Sequence, residues 1–186
     1  MRINYQLVFA FIGLAVLLSP ASETRAGQPL SAATILEEIK AKGPESVFKG
    51  LWKDDDKWSD VINNIESGET QWLKVAVELH KAADGGASEM LFLAAGVALV
   101  RAPHEVLVIG VPELGIEGVC GFPDMADPRF ETKKNTITYL DDRIKAVSRL
   151  TQSDVAVLRT RCLEILNNTK REVLSPKGPF SGKFGF

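Results

Sequence analysis

The chain has 186 residues, 22 of them basic and 24 acidic, for a net charge of −2 with neutral histidines. That balance lacks the basic excess expected of a nucleic-acid binder. Its length is enough to bury one sizeable core without metals or many cross-links.

Residues 1–26 read as an export signal. Arg2 supplies the positive charge, Leu7 to Leu18 the apolar run, and Thr24-Arg25-Ala26 a small-residue cleavage site before Gly27; Ser19-Pro20-Ala21 offers a second one. The run of about 12 residues is short of the ~20 that span a bilayer, and no cysteine lies beside it for lipid attachment. Removing Arg2, Arg25 and Glu23 leaves 20 basic and 23 acidic residues, a net −3. A periplasmic or secreted protein is expected, with one helical domain over residues 27–174 and an extended or mobile tail over 175–186.

In chain order, Ser31 is placed to cap a helix from Ala32 to Lys42, with Ile35, Leu36 and Ile39 on one face. Gly43-Pro44 stops it, and Glu45 to Trp52 forms a further short helix. Asp54-Asp55-Asp56 lacks the alternate spacing, glycine turn and distant glutamate of a calcium loop; it reads as the start of a helix, whose N-terminal partial charge favours carboxylates. Trp58, Val61, Ile62 and Ile65 share one helical face, as do Trp72, Val75, Ala76 and Leu79 after Gly68. The two segments read as a helical hairpin, and Asp84-Gly85-Gly86 as the turn into the next helix. Trp58 and Trp72 open similar helices, but no unit of 30 to 50 residues recurs, so a compact array is expected in place of a solenoid.

The centre of the fold is ASEMLFLAAGVALVRAPHEVLVIG, Ala87 to Gly110, in which Met90 to Val100 is apolar or small throughout. The expectation is a helix from Glu89 to Arg101, capped by Ser88 and covered on all sides by its neighbours, and a second short helix opened by Pro103. Val111 to Phe130 carries three prolines and four glycines and reads as one long irregular loop. Helical periodicity resumes from Glu131 to Leu150 through Ile137, Leu140, Ile144 and Val147. A last helix, capped by Ser153, places Val155, Leu158, Cys162, Ile165 and Thr169 on one stripe. The tail after Leu174 is polar apart from Phe180, Phe184 and Phe186. The whole reads as an all-α array of six to eight helices in antiparallel pairs.

Cys120 and Cys162 are the two cysteines. In an oxidising compartment two such thiols pair, and Cys162 lies on the inward stripe of its helix. The bridge is expected to close 43 residues, counting both ends, and to pin the long loop. Phe122 and Met125, held among prolines, together with Asp124 and Asp127, are the candidate partner-binding residues there, although aspartates beside turns are commonly turn residues. Neither His80 nor His104 has metal-ligand spacing to a histidine or cysteine. A G-x-S-x-G elbow, a phosphate loop and a dinucleotide fingerprint are absent from the sequence. No catalytic residue, cofactor or metal site is therefore assigned.

One set of residues carries a resemblance. Trp58, Val61, Ile65, Ser67-Gly68, Trp72-Leu73, Val75-Ala76, Gly86-Ala87-Ser88-Glu89 and Val119-Cys120-Gly121 with Pro123 make the chain resemble a family of small exported helical proteins of proteobacteria. No activity is attached to that family, so the resemblance implies fold and compartment alone. In size, helicity and cysteine pair the chain is also loosely similar to periplasmic immunity proteins. The expected function is non-enzymatic binding of another protein, the alternatives being a carboxylate-dependent hydrolase and a carrier of a small apolar ligand.

Overall fold

The computed structural model describes residues 30–123 and 126–180. The export-signal residues, Asp124, Met125, Phe184 and Phe186 lie outside them.

The first three helices start where a cap or a proline dictates. Ser31 accepts from the Thr34 amide at 3.1 Å and opens α1, Ala32–Lys42. Pro44, lacking a donor that the first turn would leave unpaired anyway, opens α2, Pro44–Trp52. Asp54 accepts from the Lys57 amide at 3.2 Å and caps α3, Asp55–Glu66, with Asp55 and Asp56 in its first turn. The acidic triplet is thus a helix start. After α4, Thr70–His80, the central helix α5 spans Gly85–Ala98. It begins ahead of the position read from Ser88, because the Asp84 carbonyl already accepts the amides of Ala87 and Ser88. Ser88 consequently lies inside the helix.

α5 also departs from the expectation of burial on every side. Leu91, Ala94, Ala95, Ala98 and Leu99 are sealed in the core, whereas Met90 is 38% exposed and Leu93 and Val97 are half-buried. Positions 90, 93 and 97 follow the helical spacing of one stripe, so an apolar strip of the central helix is left uncovered.

Residues 111–130 contain much more helix than their prolines and glycines suggest. Three helical segments follow one another directly: α6, Pro103–Glu105, a π-turn over Val106–Gly110, and α7, Val111–Leu114. The Val111 amide reaches back five residues to the Val106 carbonyl. Pro112 has no amide to donate and sits in the first turn of α7, where that loss costs nothing. α8, Ile116–Cys120, follows after Gly115. Between α8 and a 3₁₀ turn at Pro128–Phe130, the described residues 121–123 and 126–127 are irregular. Proline and glycine here mark the joints between short helices.

α9, Lys133–Ser148, is capped by Thr132, which accepts from the Asn135 amide at 3.1 Å. α10 spans Ala156–Leu174 behind a 3₁₀ turn at Ser153–Val155, so Ser153 opens that turn and makes no side-chain cap. The inward stripe of α10 is Cys162, Leu166, Thr169 and Val173; Ile165 is only half-buried. α9 packs on α10, α3 on α5, and α1 on α4. The seven helices of nine or more residues, α1 to α5, α9 and α10, share one continuous hydrophobic core. No strand occurs among the described residues. Phe180 turns back into that core at 6% exposure, so the beginning of the tail is fastened where a loose end is expected.

Candidate functional site

The segment after α8 is held at three points. The first is the Cys120–Cys162 disulfide, which joins α8 to α10 with both residues fully buried and Cα atoms 5.4 Å apart.

The second is Arg143, on the buried face of α9 at 1% exposure. It donates to the Gly121 carbonyl at 2.9 Å and to the Val119 carbonyl, which are acceptors left open at the C-terminal end of α8. A cation there also meets the negative end of the peptide dipoles. Burial pushes this guanidinium below its ordinary pKa, Tyr139 opposing the shift. Its carbon centre lies 5.0 Å from the Tyr139 ring centroid. Gly96 makes the approach of α5 to this corner feasible: a β-carbon there would fall 2.8 Å from the Val119 carbonyl oxygen and 3.3 Å from an Arg143 nitrogen.

The third is a charged triad. Asp127 caps the 3₁₀ turn through the Arg129 amide at 2.8 Å and accepts from the Arg129 side chain at 2.8 and 2.5 Å. The same guanidinium forks onto Glu66, at the end of α3, at 2.7 and 2.8 Å. Partial burial alone would raise the Asp127 carboxyl, but bonding and charge pairing with Arg129 outweigh it and hold the group below the usual carboxylate range. Hydrogen bonds from Arg129 to Glu66 and then Asp127 keep the guanidinium firmly protonated. Arg129 also lies 5.4 Å from the Phe130 ring, which packs on Tyr139 at 4.3 Å. Contacts therefore run from the triad, in which Arg129 alone is exposed, through two aromatic rings, to buried Arg143.

Two concavities flank the fastened segment. A cleft of about 140 Å³ lies between α3, α5 and the 3₁₀ turn; Ile62, Met90, Leu93, Ala94 and Val97 line its apolar part, Phe130 and Tyr139 its aromatic part, and the triad its mouth. On the other side of Pro123 a shallower groove runs over Phe92, Leu93, Gly118, Phe122 and Ala126, with Glu89 and Glu117 at its edges. Gly118 lets the Phe92 ring lie flat against α8, since a β-carbon would meet that ring at 2.8 Å. Leu93 and Pro123 belong to both concavities.

Of the residues singled out from sequence, Phe122 is half-buried and lines the groove, and Asp127 is the turn cap with a second role in the triad. Asp124 and Met125 lie outside the described residues. His104 meets Asp154 at 3.0 Å, joining the start of α6 to the 3₁₀ turn before α10. Sequence reasoning missed Arg143, Glu66, Arg129 and the strip at Met90, Leu93 and Val97. The one available signal was Arg143 itself, a cation in register with Thr136, Leu140 and Val147 on the inward face of α9.

Among the described residues no helix is long and apolar enough to cross a membrane. No family model matches the chain, no curated protein is similar to it, and no solved structure matches it.

Proposed function

We propose that this chain is a non-enzymatic binding protein of the periplasm or extracellular space, which engages another protein through the face formed by α5, α8, Phe122 and Pro123, in the manner of an immunity or inhibitor protein. The observation that carries this reading is the groove over Phe92, Leu93 and Phe122, set on a backbone tied down by the disulfide, Arg143 and the triad. A surface ordered in advance loses less conformational entropy when a partner docks. Export is supported by the bridged cysteines, which suit an oxidising compartment, and by the charge, apolar run and small residues of positions 1–26.

The alternatives have less behind them. A carboxylate hydrolase needs one acid kept protonated near neutral pH. The carboxylates brought together here, Glu66 and Asp127, are both bonded to Arg129, and Asp127 is shifted toward ionisation. A carrier needs a pocket that encloses its ligand, whereas the cleft holds only about 140 Å³, below the roughly 300–1,000 Å³ typical of small-molecule sites, and the roomier groove over Phe92 and Phe122 is open to solvent.

Capture of partners from an envelope extract, with wild-type protein beside Phe122→Ser and Phe92→Ser, tests the reading. A single stoichiometric protein should be retained by the wild type and lost by both variants, with melting temperatures nearly unchanged. Retention by folded variants, or no captured protein at all, would overturn it.

A further inference from the structure

We infer that the cleft between α3 and α5 is the socket for one phenyl-sized apolar side chain of the partner, carried on a segment that has a basic residue beside it. This rests on the reading of the adjoining face as a protein-binding surface and adds what that surface selects.

Size comes first. About 140 Å³ is close to the roughly 150 Å³ of an apolar cavity that stays dry and takes up benzene, so one ring of six heavy atoms fills it. Chemistry points the same way. Met90 offers a polarisable sulfur, and the Trp58 indole N–H donates to that sulfur at 3.4 Å, fixing its position on the cleft wall. Sulfur at a ring edge is a favourable contact. The Phe130 and Tyr139 rings, centroids 4.3 Å apart, supply a second wall suited to offset or edge contact with a third ring.

The charged mouth offers a polar occupant little. Arg129 already spends its Nε and both terminal nitrogens on Glu66 and Asp127, so an incoming anion finds a donor group committed elsewhere and two carboxylates beside it. Charge selects the neighbour of the anchor. Glu89 and Glu117 edge the groove that continues from the cleft past Leu93 and Pro123, and Arg161, 3.4 Å from Glu117, is the one basic partner that either makes there among the described residues. A lysine or arginine adjacent to the anchor therefore meets an acidic rim. Continuity of cleft and groove is what favours a polypeptide over a free ligand, because a lone ring would leave the groove uncovered.

Toluene and N-acetyl-phenylalanine amide, titrated into the full chain and followed by amide and methyl NMR, test the socket. Both should shift Ile62, Ala94 and Val97 saturably, and N-acetyl-aspartate should not. Filling variants complete the test: Val97→Phe, at a half-buried position, and Ala94→Leu as a second in case the first perturbs folding. Either should abolish the toluene shifts and weaken capture of the partner at least tenfold, about 1.4 kcal/mol, while Glu89→Lys with Glu117→Lys should weaken capture and leave toluene binding intact. Absence of saturable toluene shifts overturns the socket whatever the face does. Toluene binding combined with undiminished capture by folded filling variants overturns the anchor and leaves the binding face standing. Loss of capture in Phe122→Ser with retention in Val97→Phe separates the two readings in the same experiment.

Discussion

Gly96 and Gly50 are both helical glycines, and their surroundings predict opposite outcomes for the same change. Replacing glycine with alanine inside a helix gains up to about 1 kcal/mol from backbone propensity alone. At Gly50 nothing lies within 4 Å of the added carbon, so Gly50→Ala should raise the urea midpoint slightly. At Gly96 the carbon meets the Val119 carbonyl at 2.8 Å, and that carbonyl is held by Arg143 next to a disulfide. The obstacle is backbone that cannot swing aside. Overpacking costs typically 1–3 kcal/mol, which exceeds the propensity gain, and Gly96→Ala should lower the midpoint; a rise would mean that α5 and α8 separate freely. Asp127 gives a pH prediction. Its folded-state pKa is depressed, so its contribution is present above the unfolded value near 3.8 and disappears as pH falls through the lower folded value. Asp127→Asn should therefore be less stable than wild type near neutrality, with the deficit shrinking as pH falls below the unfolded value near 3.8; a deficit independent of pH would mean that the carboxylate acts only through shape. The place of Asp127 in a turn was legible in the sequence, but the triad with Glu66 and the close packing at Gly96 were not, because they depend on what a remote segment brings near.

Helices were legible wherever an apolar stripe kept one period, as in α1, α3, α4 and α9. Two elements were not. α5 reads as uniformly apolar, and nothing in a row of leucines, alanines and valines tells which three positions will lack a neighbour; the strip at Met90, Leu93 and Val97 exists because α3 and the 3₁₀ turn stand apart there. In residues 111–120, proline and glycine were taken for loop signals, yet a proline in the first turn of a short helix is neutral, and the π-turn absorbs the missing donor. The disulfide belongs to this scale, since it joins the short α8, which also packs on α5, to the long α10. Closing 43 residues counting both ends, from a separation of 42, corresponds to roughly 4 kcal/mol in the chain-entropy model. Replacing both cysteines with serine should cost up to about that much in equilibrium unfolding, with hydrogen-exchange protection lost first at Val119 and Gly121. Uniform loss across all helices would show that the bridge stabilises the molecule without specifically holding α8.

For the molecule as a whole, one core is shared by every long helix, and the all-helical class follows from the 3.6-residue period repeated along the chain. The proposed binding face is a surface assembled from α3, α5, α8 and the 3₁₀ turn, and surfaces of that kind are set by packing between remote segments, as in the Arg129 to Glu66 pair, 63 positions apart. Cys162 also sits far downstream of Cys120, on the last long helix. A polypeptide is made from its N-terminus, so the end of α8 stays without its covalent tie until α10 has been synthesised. With two cysteines in the chain, no wrong intramolecular bridge competes. Biogenesis then calls for one oxidation and no reshuffling, and that oxidation waits until α10 has been made.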